Sequence, residues 1–251
     1  MIIAEILNND KMRITLNNDP VNAITIKMLQ ELDKVLEDID YSKIRAIYFD
    51  SSINHFCAGA DLKERSKLSK DQTISFLDKI NNLFDKIYNI KVPTFAFING
   101  GCLGGGLEFA LACDFRIGFD DSVYGFPETS IGIIPGAGGT QRLTALIGPS
   151  KSLKWIFTAN QYTSQDALEE GVIDFLIDFK DKDKFISTFI QKIIQNAPIA
   201  ISAAKNSIKS SFIDHGFISE RKEYLTTLYS QDRDEGLLSF KEKRTPNWKN
   251  K

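Results

Sequence analysis

Five glycines fall within seven residues, Gly100, Gly101, Gly104, Gly105 and Gly106, directly after an apolar run and directly before Leu107-Glu108. Glycine gives up more backbone freedom on folding than any other residue, so a cluster of this kind marks a place where something approaches the main chain closely. A P-loop would need Lys followed by Ser or Thr, a dinucleotide fingerprint would need Gly-x-Gly-x-x-Gly, and a nucleophile elbow would need a Ser between glycines; none is present. What remains is a run of bare N–H groups opening a helix, suited to a partial or full negative charge. Close helix-to-strand packing is the alternative use of the same glycines. A second loop, Cys57-Ala58-Gly59-Ala60-Asp61-Leu62-Lys63-Glu64, also follows a strand-like run and leads toward a helix. One N–H from each loop would suit a carbonyl whose oxygen becomes negative during reaction, each donor contributing roughly 3 kcal/mol in a water-excluded site.

Two carboxylates lie close to these loops in sequence. Glu108 sits on the first turn of the helix that the glycines open, and Glu128 follows the turn-prone stretch Tyr124-Gly125-Phe126-Pro127. Either alone fits a capping or surface role. Their apolar neighbours Leu107, Phe109, Phe126 and Pro127 would raise a carboxyl pKa toward general acid–base use. His55 reads as a loop or packing residue, and Asp114 as a local cap or hydrogen-bond acceptor. The two histidines, His55 and His215, lack the spacing of a zinc site, so no metal is expected.

These groups need a scaffold, and the hydrophobic periodicity supplies one. Two short strands, Ile2 to Leu7 and Met12 to Leu16, flank a turn, and a helix over about 25 to 40 follows. Ile44 to Phe49 reads as a strand, 71 to 90 as a helix, Val92 to Ile98 as a strand covered on both faces, Leu107 to Cys113 as a short apolar helix and Phe115 to Phe119 as a strand. From about residue 139 helices dominate, with one strand at Val172 to Ile177. Alternation followed by helices argues an α/β core with a helical C-terminal extension, without a linker that would divide it into independent domains.

Composition agrees with that outline. The chain has 251 residues, 43% of them hydrophobic and 25% charged, which describes a globular core and excludes disorder or a collagen-like repeat. Thirty-one Lys plus Arg against 33 Asp plus Glu leave a formal charge of −2, so no global field draws the chain to nucleic acid or an anionic membrane. Three cysteines at irregular spacing favour a reducing, cytoplasmic compartment. The start Met1-Ile2-Ile3-Ala4-Glu5 resembles neither a signal nor a transit peptide, so a mitochondrial matrix protein would need a leader outside this sequence.

Four segments together resemble the enoyl-CoA hydratase and isomerase family, the crotonase superfamily: Cys57 to Lys63, Asn99 to Glu108, Pro127-Glu128, and Pro135-Gly136-Ala137-Gly138-Gly139-Thr140-Gln141-Arg142-Leu143. The resemblance runs from the first strands to Phe240-Lys241-Glu242-Lys243-Arg244. It implies an α/β spiral of ββα units over residues 1–195, and a helical region over 196–251 that packs on the core and on neighbouring subunits as the trimerisation part. It implies an oxyanion hole made by the N–H groups of Ala60 and Gly105, with Glu108 and Glu128 as the acid–base pair. It further implies that Ala58, Asp61, Leu62, Lys63, Gly104, Pro127, Gly136, Phe240 and Lys243 line the substrate, with Leu62 and Lys63 at the adenine end of coenzyme A and Lys243 near its phosphates.

The activity implied is addition of water to the 2,3-double bond of a 2-enoyl-CoA, with coenzyme A as part of the substrate and no separate cofactor. Both carboxylates are present, where many relatives that isomerise or do other chemistry keep only one. The alternatives are a Δ3,Δ2-enoyl-CoA isomerase of the same fold and a non-catalytic acyl-CoA- or RNA-binding protein. The wording of Gly59 to Arg65 and of Asp232 to Arg244 is similar to the methylglutaconyl-CoA hydratase branch. Asn17-Asn18-Asp19-Pro20 departs from the pattern by lacking a basic residue before the Pro, and Tyr124 stands where Phe is common. A homotrimer or a dimer of trimers is expected, with no nucleic-acid or membrane partner.

Overall fold

A computed structural model describes residues 1–8, 10–210, 226 and 229–251, without the side chains of Arg233, Leu237, Phe240 and Lys241. The alternation read from the sequence becomes two interleaved sheets. The larger has six strands in the order β1 (Ile2–Leu7), β2 (Lys11–Leu16), β3 (Ala46–Ser51), β5 (Thr94–Ile98), β7 (Phe115–Phe119) and β10 (Phe175–Ile177). All neighbours are parallel except the β1–β2 hairpin. The smaller sheet has the order β4 (His55–Cys57), β6 (Gly101–Leu103), β8 (Val123–Gly125) and β9 (Gln161–Thr163), parallel up to β8 and antiparallel at β9.

Each turn of the chain lays one strand in the large sheet and the next in the small one, then runs into a helix. Thus β3 and β4 lead to α2 (Leu62–Arg65) and α3 (Lys70–Tyr88), and β5 and β6 lead to α4 (Gly105–Ala112). β7 and β8 lead to the 3₁₀ turn Pro127–Ile131 and on to α5 (Gly139–Ile147) and α6 (Pro149–Phe157). This is the expected spiral of strand–strand–helix units. The strands of the small sheet are three residues long, too short to carry a period-2 signal, and β9 was not expected at all.

The helix predicted over 25 to 40 is α1 (Ile26–Glu37), capped by Thr25, whose hydroxyl accepts from the Met28 N–H. The helix predicted over 71 to 90 is α3, opened by a Ser69–Gln72 capping box. Other boundaries moved for identifiable reasons. The strand expected from Val92 starts at Thr94, after Pro93, which has no N–H to give a ladder. The strand expected from Val172 is only Phe175–Ile177, because the Val172 and Ile173 N–H groups both donate to the Ala167 carbonyl at the end of α7 (Ser164–Glu170). The short helix expected from Leu107 begins at Gly105, so two of the glycines are inside it. The stretch expected to be a loop before Glu128 is strand β8 followed by the 3₁₀ turn.

α4 is the centre of the molecule. Every residue from Gly106 to Ala112 is buried, and Phe109 packs against Phe49, Phe56 and Phe84 at ring-centroid distances of 5.0 to 5.6 Å. A second apolar cluster covers the other face of the large sheet, where Phe185 and Phe189 meet Phe97, Phe115 and Phe175. Asp114 is not a local cap. It accepts from the Thr94 N–H and hydroxyl and pairs with Lys205 and Lys209 of α10 (Pro198–Lys209), which ties the later helices to the sheet. The last described helix is α11 (Gln231–Glu242).

Candidate active site

β4 and β6 are parallel neighbours, so the loops that leave their C-terminal ends start side by side. Gly59 (φ +87°) and Gly104 (φ +52°) turn these loops through the left-handed region. The loops then touch with no room for a side chain between them. A Cβ on Gly59 would lie 2.9 Å from the Leu103 carbonyl oxygen and 3.0 Å from the Gly105 nitrogen, and one on Gly106 would lie 1.9 Å from the Cys57 carbonyl oxygen. A Cβ on Gly105 would stand 3.6 Å from the Ala60 nitrogen. The Ala60 and Gly105 N–H groups are therefore brought together.

Local pairing aims the first of them. Ile24 bridges Ala60 in parallel, its N–H donating to the Gly59 carbonyl and its carbonyl accepting from the Asp61 N–H, so Ala60 turns its own N–H to the opposite side. Gly105 is the first residue of α4 and has no carbonyl one turn back. Two backbone donors side by side, one of them at a helix N-terminus, are an arrangement suited to an oxygen that gains negative charge.

Glu108 lies one turn into α4 and is 4% exposed. Its Oε1 accepts from the Ala137 N–H at 2.7 Å and the Gly139 N–H at 2.9 Å. The Pro135–Gly139 loop that supplies these donors is itself tied down. Asn81 donates to the Gly136 carbonyl at 2.8 Å, and Arg142 donates to the Ala137 carbonyl at 2.9 Å and pairs with Asp85. Burial pushes the Glu108 pKa up, and the two N–H groups and Arg142 pull it back toward the ionised form.

Glu128, on the first turn of the 3₁₀ helix, comes from the next unit of the spiral. Its Oε1 covers Gly104, where a Cβ would be 2.7 Å away, and its Oε2 is buried without a partner among the described residues. Burial, with the charge of Glu108 adding to it, pushes its pKa up to about 7, against an opposing pull from Arg65. The two carboxyls are thus close enough to feel each other, and their surroundings separate them. One is held by two N–H donors, and the other has none directed at its free oxygen.

The remaining expected residues divide. Gly104 forms the floor under Glu128, Pro127 opens the 3₁₀ turn, and Gly136 anchors the loop that holds Glu108. Asp61 serves as the N-cap of α2, accepting from the Lys63 and Glu64 N–H groups at 2.8 and 3.0 Å. The Ala58 N–H donates to the Val21 carbonyl, and Leu62 and Lys63 expose their side chains just after the Gly59–Ala60 turn. Lys243 is exposed just past α11, and Phe240 lies on that helix with its side chain outside the described residues, as is the whole of His215. The described hydrogen bonds of this tail run among Asp232, Glu235, Arg244 and Asn247 to Asn250 and to the Gln195 carbonyl, not to the two loops. His55 packs the small sheet, its Nδ1 accepting from the Gly101 N–H at 3.0 Å.

Three contributors were missed by sequence reasoning: the Ala137 and Gly139 N–H groups, Arg142 and Arg65. The glycines at 136, 138 and 139 were a visible signal for the first, since a Cβ on Gly139 would lie 2.9 Å from the Glu108 Oε1. Among the described residues no group of three His, Cys, Asp or Glu is placed to hold a metal, and no helix is long and apolar enough to cross a membrane. A cavity of about 790 Å³ lies at the opposite end of α4 from the carboxyls, lined in part by Leu111, Cys113, Arg142, Ile201 and Lys205.

The sequence model of the enoyl-CoA hydratase/isomerase family matches residues 8–251. The chain belongs to the enoyl-CoA hydratase/isomerase family. Its relatives within that family include a mouse mitochondrial methylglutaconyl-CoA hydratase, 37% identical with 91% of this chain and 76% of the relative covered. An enoyl-CoA isomerase/hydratase of Mycosarcoma maydis is also 37% identical, covering 90% and 87%. The fold is that of solved family members. An enoyl-CoA hydratase from Bacillus anthracis superposes with a TM-score of 0.94 at 35% identity, covering 100% of this chain and 99% of the other. The crotonase-type α/β spiral read from the sequence is therefore the fold of this enoyl-CoA hydratase/isomerase family member.

Proposed function

We propose that this family member adds water across the 2,3-double bond of a 2-enoyl-CoA thioester. The observation that carries the reading is a buried carboxyl, Glu108, and a partly buried one, Glu128, in unlike environments beside two free N–H groups. The thioester carbonyl oxygen accepts from Ala60 and Gly105, which draws electron density from C3. Glu108, whose Oε1 is oriented by two N–H donors, takes a proton from a water whose oxygen bonds to C3. Glu128, whose carboxyl holds its proton up to about pH 7, gives that proton to C2 of the enolate, and the C2–C3 π bond is consumed. Water is thereby added with atoms balanced, and the two N–H groups stabilise the negative oxygen by roughly 3 kcal/mol each.

The exposed side chains of Leu62 and Lys63 beside the oxyanion loop support a role at the coenzyme A end, and Lys243 is proposed for its phosphates. Leu146, Phe157 and Ile208 expose large apolar surfaces, which supports assembly into a homo-oligomer. A Δ3,Δ2-enoyl-CoA isomerase is the second reading, favoured by Glu128 alone being a carboxyl poised to take and return a proton near neutral pH. Loss of enoyl absorbance with crotonyl-CoA and 3-methylglutaconyl-CoA, with the products separated, tests both. Hydroxyacyl-CoA formation supports the hydratase. A shifted double bond with no hydroxyacyl-CoA supports the isomerase, and no turnover of any enoyl-CoA removes both.

A further inference from the structure

Asn22 is fully buried in the segment that joins β2 to α1. Its backbone is left-handed (φ +51°), a conformation that asparagine adopts more readily than most residues. Both ends of its carboxamide are used. The Nδ2 group donates to the Ser51 hydroxyl and the His55 carbonyl at 2.8 Å and to the Phe56 carbonyl at 3.1 Å, while Oδ1 accepts from the Asn18 N–H at 2.7 Å. β4 is an edge strand of the small sheet, and its pairing with β6 slips between His55 and Cys57. At that irregularity the Asn22 amide supplies donors that a further strand would otherwise give.

What this anchors is the loop that carries the Ala60 N–H. The residues on either side of Asn22 pair with that loop: the Val21 carbonyl accepts from the Ala58 N–H, the Ile24 N–H donates to the Gly59 carbonyl, and the Ile24 carbonyl accepts from the Asp61 N–H. The loop turns at Gly59 (φ +87°), a flexible point just before Ala60, so its direction depends on these bonds. Ile24 also covers the second donor, its Cδ1 lying 3.1 Å from where a Cβ on Gly105 would stand. From the other side, the Asn99 amide donates to the Ile53 carbonyl at 2.6 Å and the Phe56 N–H donates to the Asn99 carbonyl, which ties β4 to the start of the glycine loop. Asn22 thus fastens the Val21–Ile24 segment, and through it Ala60, to the strand on which the glycine loop is also fastened.

We propose that Asn22 is a positioning residue for polarisation of the thioester: its carboxamide fixes the direction of the Ala60 N–H relative to that of Gly105. The proposal rests on the hydratase reading above and adds to it a residue that acts only through the backbone it holds. Two N–H groups polarise one carbonyl fully only when both point at its oxygen, and a misplacement of about 1 Å costs roughly 10²-fold in rate. Removing the amide takes a donor from the His55 and Phe56 carbonyls, so the end of β4 and the loop that follows it relax together.

The test uses Asn22→Gly, which removes the amide and accepts the left-handed backbone, and Asn22→Asp, which keeps the shape and the acceptor for Asn18 but gives no N–H. Arg116→Met is the control for lost stability, since Arg116 binds the Cys113 carbonyl, at the opposite end of α4 from Gly105. Crotonyl-CoA hydration gives kcat and KM. Infrared difference spectra of bound butyryl-CoA, isotope-labelled at the thioester carbon and unable to react, give the carbonyl stretch, which falls as hydrogen bonds to its oxygen strengthen. Wild type should lower this stretch on binding. Each Asn22 variant should lose about half of the lowering, as when one of two donors no longer points at the oxygen, and kcat should fall roughly 10²-fold with little change in KM. Arg116→Met should lose Tm and keep both the lowered stretch and kcat. A folded Asn22 variant with the wild-type stretch would overturn the proposal, as would a failure of both variants to fold, which would assign Asn22 to stability alone. A wild type that lowers the stretch but hydrates no enoyl-CoA would overturn the hydratase reading and leave the Asn22 role to be read from the stretch. A wild type that does not lower the stretch would overturn the two-donor site and the role of Asn22 with it.

Discussion

Replacing Gly106 by alanine adds one methyl group at a point where the backbone has no room for it. The new Cβ would stand 1.9 Å from the Cys57 carbonyl oxygen and 2.7 Å from its carbon, against ordinary contact from 3.4 Å. Both clashing atoms are backbone, so no side chain can swing away, and α4 and the loop after β4 must separate by an ångström or more. Gly106 lies within the helix, so the substitution adds no left-handed strain that would confuse the result. The displaced segments are those that carry the Gly105 and Ala60 N–H groups. A shift of about 1 Å in a catalytic group, or loss of one oxyanion donor, lowers kcat by roughly 10²- to 10³-fold. Overpacking of this kind costs about 1–3 kcal/mol of stability, or roughly 2–12 °C in Tm for a chain of this size. Crotonyl-CoA hydration at 25 °C and a thermal melt by circular dichroism measure the two effects separately. A folded Gly106→Ala protein with kcat within threefold of wild type would refute the placement of the two N–H groups as the polarising element.

Glu108→Gln and Glu128→Gln should each lower kcat by roughly 10²- to 10⁴-fold with smaller changes in KM, measured by loss of enoyl absorbance; unchanged rates would remove both residues from the chemistry. Because the Glu128 carboxyl is raised to about 7, its protonated form is lost above that pH, and kcat/KM for hydration should fall with rising pH beyond neutrality. The same shift has a stability sign. The folded state holds this proton more tightly than the unfolded chain, so the contribution of Glu128 turns unfavourable as pH rises from 4.5 through about 7, and Glu128→Gln should gain Tm over wild type at pH 8 but not at pH 4. Arg116, 4% exposed, donates to the Val172 and Cys113 carbonyls and pairs with Asp174 at 2.7 Å. Arg116→Met leaves these groups unpaired at a cost of about 3–5 kcal/mol, lowering Tm by roughly 6–20 °C, with little change in kcat at low temperature.

How much of this was legible beforehand depends on the range of the interaction. The glycines at 100–106 and the loop at 57–64 could be read because close approach to backbone leaves a compositional trace in consecutive residues. Helices α1 and α3 could be read because each buries a face long enough to repeat. The three-residue strands of the small sheet could not, since they hold together through neighbours distant in sequence. The meeting of Glu108 with Ala137 and Gly139 is also tertiary, and its hint was another glycine run. Asp61 shows the opposite limit. The resemblance placed it among substrate contacts, while its local pattern, Asp61 followed three residues later by Glu64, is that of a helix cap, and capping is what it does here. Asp114 was read as local, but its partners Lys205 and Lys209 lie on a helix formed much later in the chain.

The site divides its labour between two kinds of chemistry that can change independently. In the proposed hydration the groups that take up the negative charge are main-chain N–H groups, present in any sequence able to make the turn at Gly59 and Gly104, whereas the groups that move protons are replaceable side chains on α4 and the 3₁₀ turn. A substitution can alter what becomes of the enolate without altering how the enolate is made. Divergence into new reactions therefore needs only one or two side-chain replacements on an unchanged backbone, and a descendant of this chain that lost either glutamate would keep the means to acidify the carbon next to a thioester.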